Sequence, residues 1–226
     1  MVPWKLLDRT EVPGGGGELT LHQRGAEFSI RIDGLELMNS RVYAKEDALS
    51  QIGCARIKER KKARVLIGGL GMGYALATAL GGVRDDAEVV VAELVPSVIE
   101  WNRTLLGELA GHPLRDPRVT LRQEDVARVL REPSAAYDAI LLDVDNGPEG
   151  LTRRANDWLY TPAGLAAARS ALRANGVLGV WSARPDPAFA RRMRAARFTV
   201  DEIVVTSRGA RKGAQHVLWL GARQRD

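Results

Sequence analysis

The run Ala63-Arg64-Val65-Leu66-Ile67-Gly68-Gly69-Leu70-Gly71-Met72-Gly73 constrains this chain more than any other part of it. An apolar strand passes straight into a glycine-rich turn, a helix opens near residue 73, and a second strand over 88–92 ends on an acid, Glu93. Glycines at 69, 71 and 73 let the backbone approach a ligand closely, and the helix start offers unpaired N–H groups. An acid ~20 residues further on is placed to accept hydrogen bonds from ribose hydroxyls. The loop has neither the Gly-Lys-Ser/Thr of a triphosphate site nor the full G-x-G-x-x-G spacing of a dinucleotide site, so a single adenosine fits it best.

Beyond residue 63, strand and helix patterns alternate. Strands are expected at 64–68, 88–92, 118–122, 138–143 and 177–182, with helices near 73–81, 96–110, 124–131 and 161–174. Continuous apolar runs such as Ala139-Ile140-Leu141-Leu142 are those of strands covered on both faces. The pattern implies an α/β fold with a doubly wound, mostly parallel sheet and right-handed crossovers. A helix over 187–196 follows, then two apolar runs, 198–205 and 216–220, joined by a basic turn at 207–213. Those two runs would close an antiparallel end, giving a seven-stranded, Rossmann-like sheet of methyltransferase type. Ahead of it, 1–17 reads as a flexible segment with a hinge at Gly14 to Gly17. Residues 18–59 read as a β-meander of about three strands followed by a helix, and 60–226 as the main domain.

Composition sets outer limits. No run approaches the roughly 20 apolar residues of a membrane helix, and the N-terminus lacks the apolar core of a secretion signal, so the cytoplasm is the expected compartment. The single Cys54 and three scattered histidines argue against a disulfide framework and a Cys or His metal site. A net charge of +5 is concentrated in basic runs near 58–64 and 184–197. These leave RNA open as a partner, but the Asn/Asp-Pro-Pro-aromatic loop that serves amino groups on bases is missing, which makes nucleic acid the weaker reading.

Acids recur where strands should end. Glu124 and Asp125 follow the third strand, where an adenine amine could donate to Asp125; an N-cap role for the same residues is equally consistent with the pattern. Asp143 and Asp145 follow the fourth strand, inside Asp143-Val144-Asp145-Asn146-Gly147-Pro148. A carboxylate there can orient an amine or accept its proton. Trp158 and Tyr160, a little beyond, are candidates for an acceptor pocket, with Tyr43 and Trp101 weaker ones.

In this order the motifs resemble the spermidine synthase-like branch of the class I S-adenosylmethionine-fold transferases. The resemblance rests on the meander with its helix, the glycine loop and Glu93-Leu94-Val95-Pro96. It extends to Leu114-Arg115-Asp116-Pro117-Arg118-Val119, Glu124-Asp125, Tyr137-Asp138-Ala139-Ile140-Leu141-Leu142-Asp143 and Leu159-Tyr160. It implies S-adenosylmethionine or its decarboxylated form as cofactor, no metal, a small-molecule acceptor and a homodimer. It also departs from the family. The D-x-x-D-P of aminopropyltransferases is respaced at 143–148. The elements that supply Gln, Tyr and His are replaced by Leu37-Met38-Asn39-Ser40-Arg41 and Glu46-Asp47-Ala48-Leu49-Ser50, and Met72 stands where the loop acid would be. Losing acids and gaining Arg41 would weaken a polyamine site. The reading favoured on this basis is methyl transfer to an unidentified acceptor. Aminopropyl transfer and cofactor binding without catalysis are the alternatives.

Overall fold

The computed structural model describes residues 2–41, 44–132, 135–143, 156–182, 185–206 and 215–224. Asp145, the 146–148 turn, Tyr43 and the 207–213 turn lie outside them.

Four strands open the chain: β1 (Lys5–Glu11), β2 (Glu18–Arg24), β3 (Glu27–Ile32) and β4 (Leu35–Asn39), paired in sequence as an antiparallel sheet. The expected flexible entry therefore contains a strand. Its sequence is polar and its side chains mostly exposed, so it shows no alternation for a reader to find, and pairing with β2 is what fixes it. Gly14 to Gly17 form the β1–β2 connection. A bulge between Leu6 and Asp8 sends the Asp8 carboxylate to the indole N–H of Trp101 at 2.7 Å, docking the small sheet on the main domain. Trp101 is buried and belongs to the core, not to an acceptor pocket. Asp8→Ala should cost about 1–2 kcal/mol by stranding that indole donor, measurable by urea unfolding.

The main domain follows α1 (Ala44–Ala55). Its strands β5 (Arg64–Gly68), β6 (Glu88–Ala92), β7 (Val119–Arg122), β8 (Tyr137–Leu142) and β9 (Leu172–Ser182) are parallel, while β10 (Phe198–Thr206) and β11 (Gln215–Arg223) add antiparallel pairings. The order is β10-β11-β9-β8-β5-β6-β7, the expected seven-stranded sheet with its antiparallel end. Strand side chains divide between two layers. Val65, Ile67, Val89, Val91 and Leu141 pack with α1, α2 (Tyr74–Gly82), α3 (Pro96–Arg103) and the small sheet. Leu66, Val90, Ile140, Leu142 and Leu178 pack with α4 (Val126–Leu130), α5 (Pro162–Ala171) and α6 (Pro187–Ala195). Burial on both faces explains the unbroken apolar strands.

Helix α3 stops well short of the expected residue 110. Thr104 returns its hydroxyl to the Glu100 carbonyl at 2.7 Å, and the chain continues as 3-10 turns at Gly107–Ala110 and Pro113–Arg115. A Cβ on Gly107 would lie 2.7 Å from the Asn102 carbonyl, a close approach that the apolar pattern alone does not reveal.

Opposite the glycine loop, at the start of β8, buried Asp138 gathers Arg60 (2.7 Å), Arg173 (2.8 Å) and the backbone N–H of Arg64 (2.8 Å). This carboxylate ties α1's trailing segment, β5 and β9 together. Asp138→Ala should lower stability by about 2–3 kcal/mol, since the arginines are partly exposed and recover some hydration. Chemical denaturation would measure that loss, with no direct effect expected at the distant cleft.

Candidate active site

The chain winds β5→β6→β7 in one direction and then crosses back to place β8 on the other side of β5. That reversal opens a crevice at the carboxyl ends of β5 and β8, the place where open α/β sheets take ligands. The acids that follow β6, β7 and β8 among the described residues all reach it. A cleft of about 190 Å3 is lined by Gly69 and Gly71, Glu93, Glu124 and Asp125, and Asp143.

The loop after β5 is built around left-handed glycines, with φ of 90° at Gly69, 53° at Gly71 and 85° at Gly73. Side chains are strained in that region, so the spacing answers to backbone geometry. Gly73 begins α2 and does not itself line the cleft. Its missing Cβ would stand 2.9 Å from Asn102 Oδ1. Asn102, buried on α3, donates through Nδ2 to the carbonyls of Gly71 (2.8 Å) and Val98 (2.9 Å) and so braces the loop. Sequence reading missed it. The available signal was an amide, a poor helix former, inside a short amphipathic helix.

Glu93 is almost fully buried. One carboxylate oxygen accepts from Leu70 N–H and the other from Val95 N–H, both at 2.8 Å. These bonds tie the end of β6 to the glycine loop and leave each oxygen with lone-pair capacity for a ligand hydroxyl. Burial pushes its pKa above the usual carboxylate range, against the backbone donors from Val95, Leu70 and Leu94.

Asp125 is the N-cap of α4, accepting from Ala127 N–H at 2.8 Å, while also lining the cleft. The N-cap reading is met, and the cap role leaves the residue on the cleft wall. Glu124 also lines the cleft, but its carboxylate is held by Arg122 at 2.6 Å, and the same guanidinium bonds Glu132. Asp143, just past β8, is half-buried and has a polar partner.

The aromatic candidates lie elsewhere. Tyr160 packs edge-on to Phe189, with ring centroids 5.7 Å apart, in the α5–α6 layer. Trp158 sits beneath the Arg131 guanidinium, 3.8 Å from its ring centre. Neither lines the cleft; the helix layer on the far face of the sheet claims both. The wall they were expected to form comes instead from the small sheet, through Val12, Leu19, Ile30, Ile32, Leu37 and Met38. Arg41 points away from the site, toward Glu27 at 3.5 Å, so it does not oppose a cation there. Met72, in place of the loop acid, is buried in the core.

Among the described residues no group of three or more His, Cys, Asp or Glu side chains could hold a metal ion. None of their helices is long and apolar enough to cross a membrane.

Comparison with known proteins supports the fold and shows the family. A polyamine aminopropyltransferase of Oceanobacillus iheyensis is 27% identical over 179 residues, covering 77% of this chain and 33% of its own length. One from Mycobacterium tuberculosis is 27% identical over 172 residues, covering 74% and 31%. The chain thus spans about a third of the length of the curated relatives it matches. Among solved structures, the spermidine synthase of Thermotoga maritima superposes with a TM-score of 0.77 at 17% identity, over 98% of this chain and 73% of that one. A spermidine synthase in complex with the transition-state analogue AdoDATO gives the same values. The Spermine/spermidine synthase domain matches residues 44–186, which take in the glycine loop, Glu93, Glu124, Asp125 and Asp143, and the chain belongs to that family.

Proposed function

We propose that this chain transfers an aminopropyl group from decarboxylated S-adenosylmethionine to an amine. The observation that carries the proposal is the charge of the cleft: its charged lining groups among the described residues, Glu93, Glu124, Asp125 and Asp143, are all carboxylates. A donor bearing a sulfonium and a terminal ammonium suits such a lining. An intact α-carboxylate would meet it with like charge, and no Lys or Arg stands among its described lining residues to hold it. Methyl transfer from S-adenosylmethionine, the reading favoured by the departures in sequence, finds no support in the relatives, and the placement of Arg41 removes one of its arguments.

The donor supplies a carbon already activated by the adjacent sulfonium. Glu93 would hold the ribose hydroxyls, and Asp125 the adenine amine. The glycine loop admits the nucleoside close to the backbone, and the small sheet's apolar wall excludes water. Asp143, and Asp145 beside it in sequence, would draw in the acceptor as an ammonium and take up its proton. The amine lone pair then forms the C–N bond as the C–S bond breaks, its electron pair staying on sulfur as a neutral thioether. Positioning, more than chemistry on the protein, supplies the rate. A cytoplasmic location and a homodimer belong to the same proposal. The exposed edge strands β1 and β4 offer the dimer a surface, and analytical ultracentrifugation would test it.

Calorimetric titration with the two nucleosides separately tests the donor assignment. Tighter binding of the decarboxylated form is expected. Preference for intact S-adenosylmethionine would favour methyl transfer, and binding of neither would leave a fold without the activity.

A further inference from the structure

A second cavity, about 40 Å3, lies behind the glycine loop, bounded by Leu49, Ile67, Met72, Tyr74 and Leu141. It shares Met38, Gly69, Gly71 and Asp143 with the larger cleft. Met38 reaches this junction through a backbone irregularity. In a regular strand successive side chains point to opposite faces, yet Leu37 and Met38 both line the cleft. The β3–β4 register accounts for it: Ile30 pairs with Met38 and Arg31 with Glu36, so Leu37 is an extra residue, a bulge that turns the strand and re-aims its side chains. The Met38 thioether then lies across the loop, where a Cβ on Gly71 would stand 2.8 Å from its methyl and 3.1 Å from its sulfur.

We propose that Met38 is a specificity-determining residue, a partition between the nucleoside cleft and the small cavity that restricts the acceptor to amines with a short apolar body beside the ammonium. The assignment rests on the aminopropyl-transfer reading. Its chemistry follows from the lining: mostly apolar side chains, with the Tyr74 phenol turned to the Ser40 carbonyl, around one described carboxylate, Asp143, which matches an ammonium with a few methylenes. Its size follows from the volume, room for about three water-sized groups. Methionine suits a partition because its unbranched thioether fills irregular space. Alanine there would join the two chambers.

The test is calorimetric titration of the wild-type protein and Met38→Ala with n-propylamine and n-hexylamine, each at saturating 5′-methylthioadenosine. The wild type should prefer the short amine by about tenfold or more, and Met38→Ala should erase or reverse that preference. Because Met38 also lines the nucleoside cleft, nucleoside affinity is measured alongside, and selectivity is taken as the ratio of the two amines' affinities with that cleft saturated. Should the alanine variant unfold, Met38→Val, which keeps a good strand former at the position, is expected to shift selectivity in the same direction. Equal selectivity in wild type and variant, a wild-type preference for hexylamine, or binding of neither amine would overturn the assignment. Mass spectrometry of products with decarboxylated S-adenosylmethionine separates the two claims. Transfer with unmoved selectivity removes Met38's role alone. A selectivity shift without any transferred product refutes the transfer reading and leaves the partition standing.

Discussion

Asp143→Asn is expected to lower kcat for aminopropyl transfer by about 10²–10⁴-fold, while donor affinity changes little. The substitution keeps the size of the side chain and the end of β8, whose residues are all buried, so the fold should tolerate it. What it removes is a carboxylate lining both the nucleoside cleft and the small cavity behind the loop. An alkylamine is protonated at neutral pH and has no lone pair to offer, so something must hold the ammonium and accept its proton before the C–N bond can form. Loss of the first role raises the KM for the amine, and loss of the second lowers kcat. Raising the pH should partly restore the rate in Asp143→Asn by deprotonating the amine in solution. A purely structural role for Asp143 would show no such rescue.

Glu93→Gln should weaken donor binding by about 2–4 kcal/mol, the scale of hydrogen bonds to a charged acceptor. The carboxylate already accepts from Leu70 and Val95 N–H, and each oxygen keeps lone-pair capacity for a ligand hydroxyl. The amide would keep one acceptor oxygen and turn an N–H2 toward a backbone donor. The pH dependence follows from burial, which raises the Glu93 pKa. Donor binding needs the ionised form, so affinity should fall as pH drops through that raised value, in milder acid than an ordinary glutamate would require. Glu93→Gln should be flat across the same window. Linkage in the ligand-free protein runs in the opposite direction. A carboxyl whose folded pKa is raised contributes stability below its unfolded value, and that contribution is lost as pH rises through the folded value. The thermal shift produced by donor should therefore be larger at neutral than at mildly acidic pH. Calorimetry and thermal unfolding across pH would check both.

The placement of the strand-end acids was legible in the sequence because it follows from connectivity. Gly69, Glu93 and Asp143 each follow a strongly apolar strand and Asp125 a more mixed one, Val119–Arg122, and a parallel sheet brings such positions to one edge. What was hidden depended on tertiary partners. β1 is a polar edge strand with no alternation to detect. Trp158 and Tyr160 stand near the catalytic edge in sequence, but sequence distance does not reveal which face of the sheet a returning chain joins. The alternation of Leu19, Ile30 and Ile32 was visible, whereas the surface they face was not. The two uses of Asp125, cap and cleft lining, were visible as alternatives, and the geometry lets one carboxylate do both. Met38 could not be read at all, since its place depends on a one-residue bulge at Leu37.

The most direct test of aminopropyl transfer is product analysis by mass spectrometry after incubation with decarboxylated S-adenosylmethionine and a panel of short amines, putrescine included. The expected result is 5′-methylthioadenosine in equal amount with an amine enlarged by one aminopropyl group, both lost in Asp143→Asn. S-adenosylhomocysteine and a methylated acceptor formed from intact S-adenosylmethionine, with no aminopropylated amine, would contradict it.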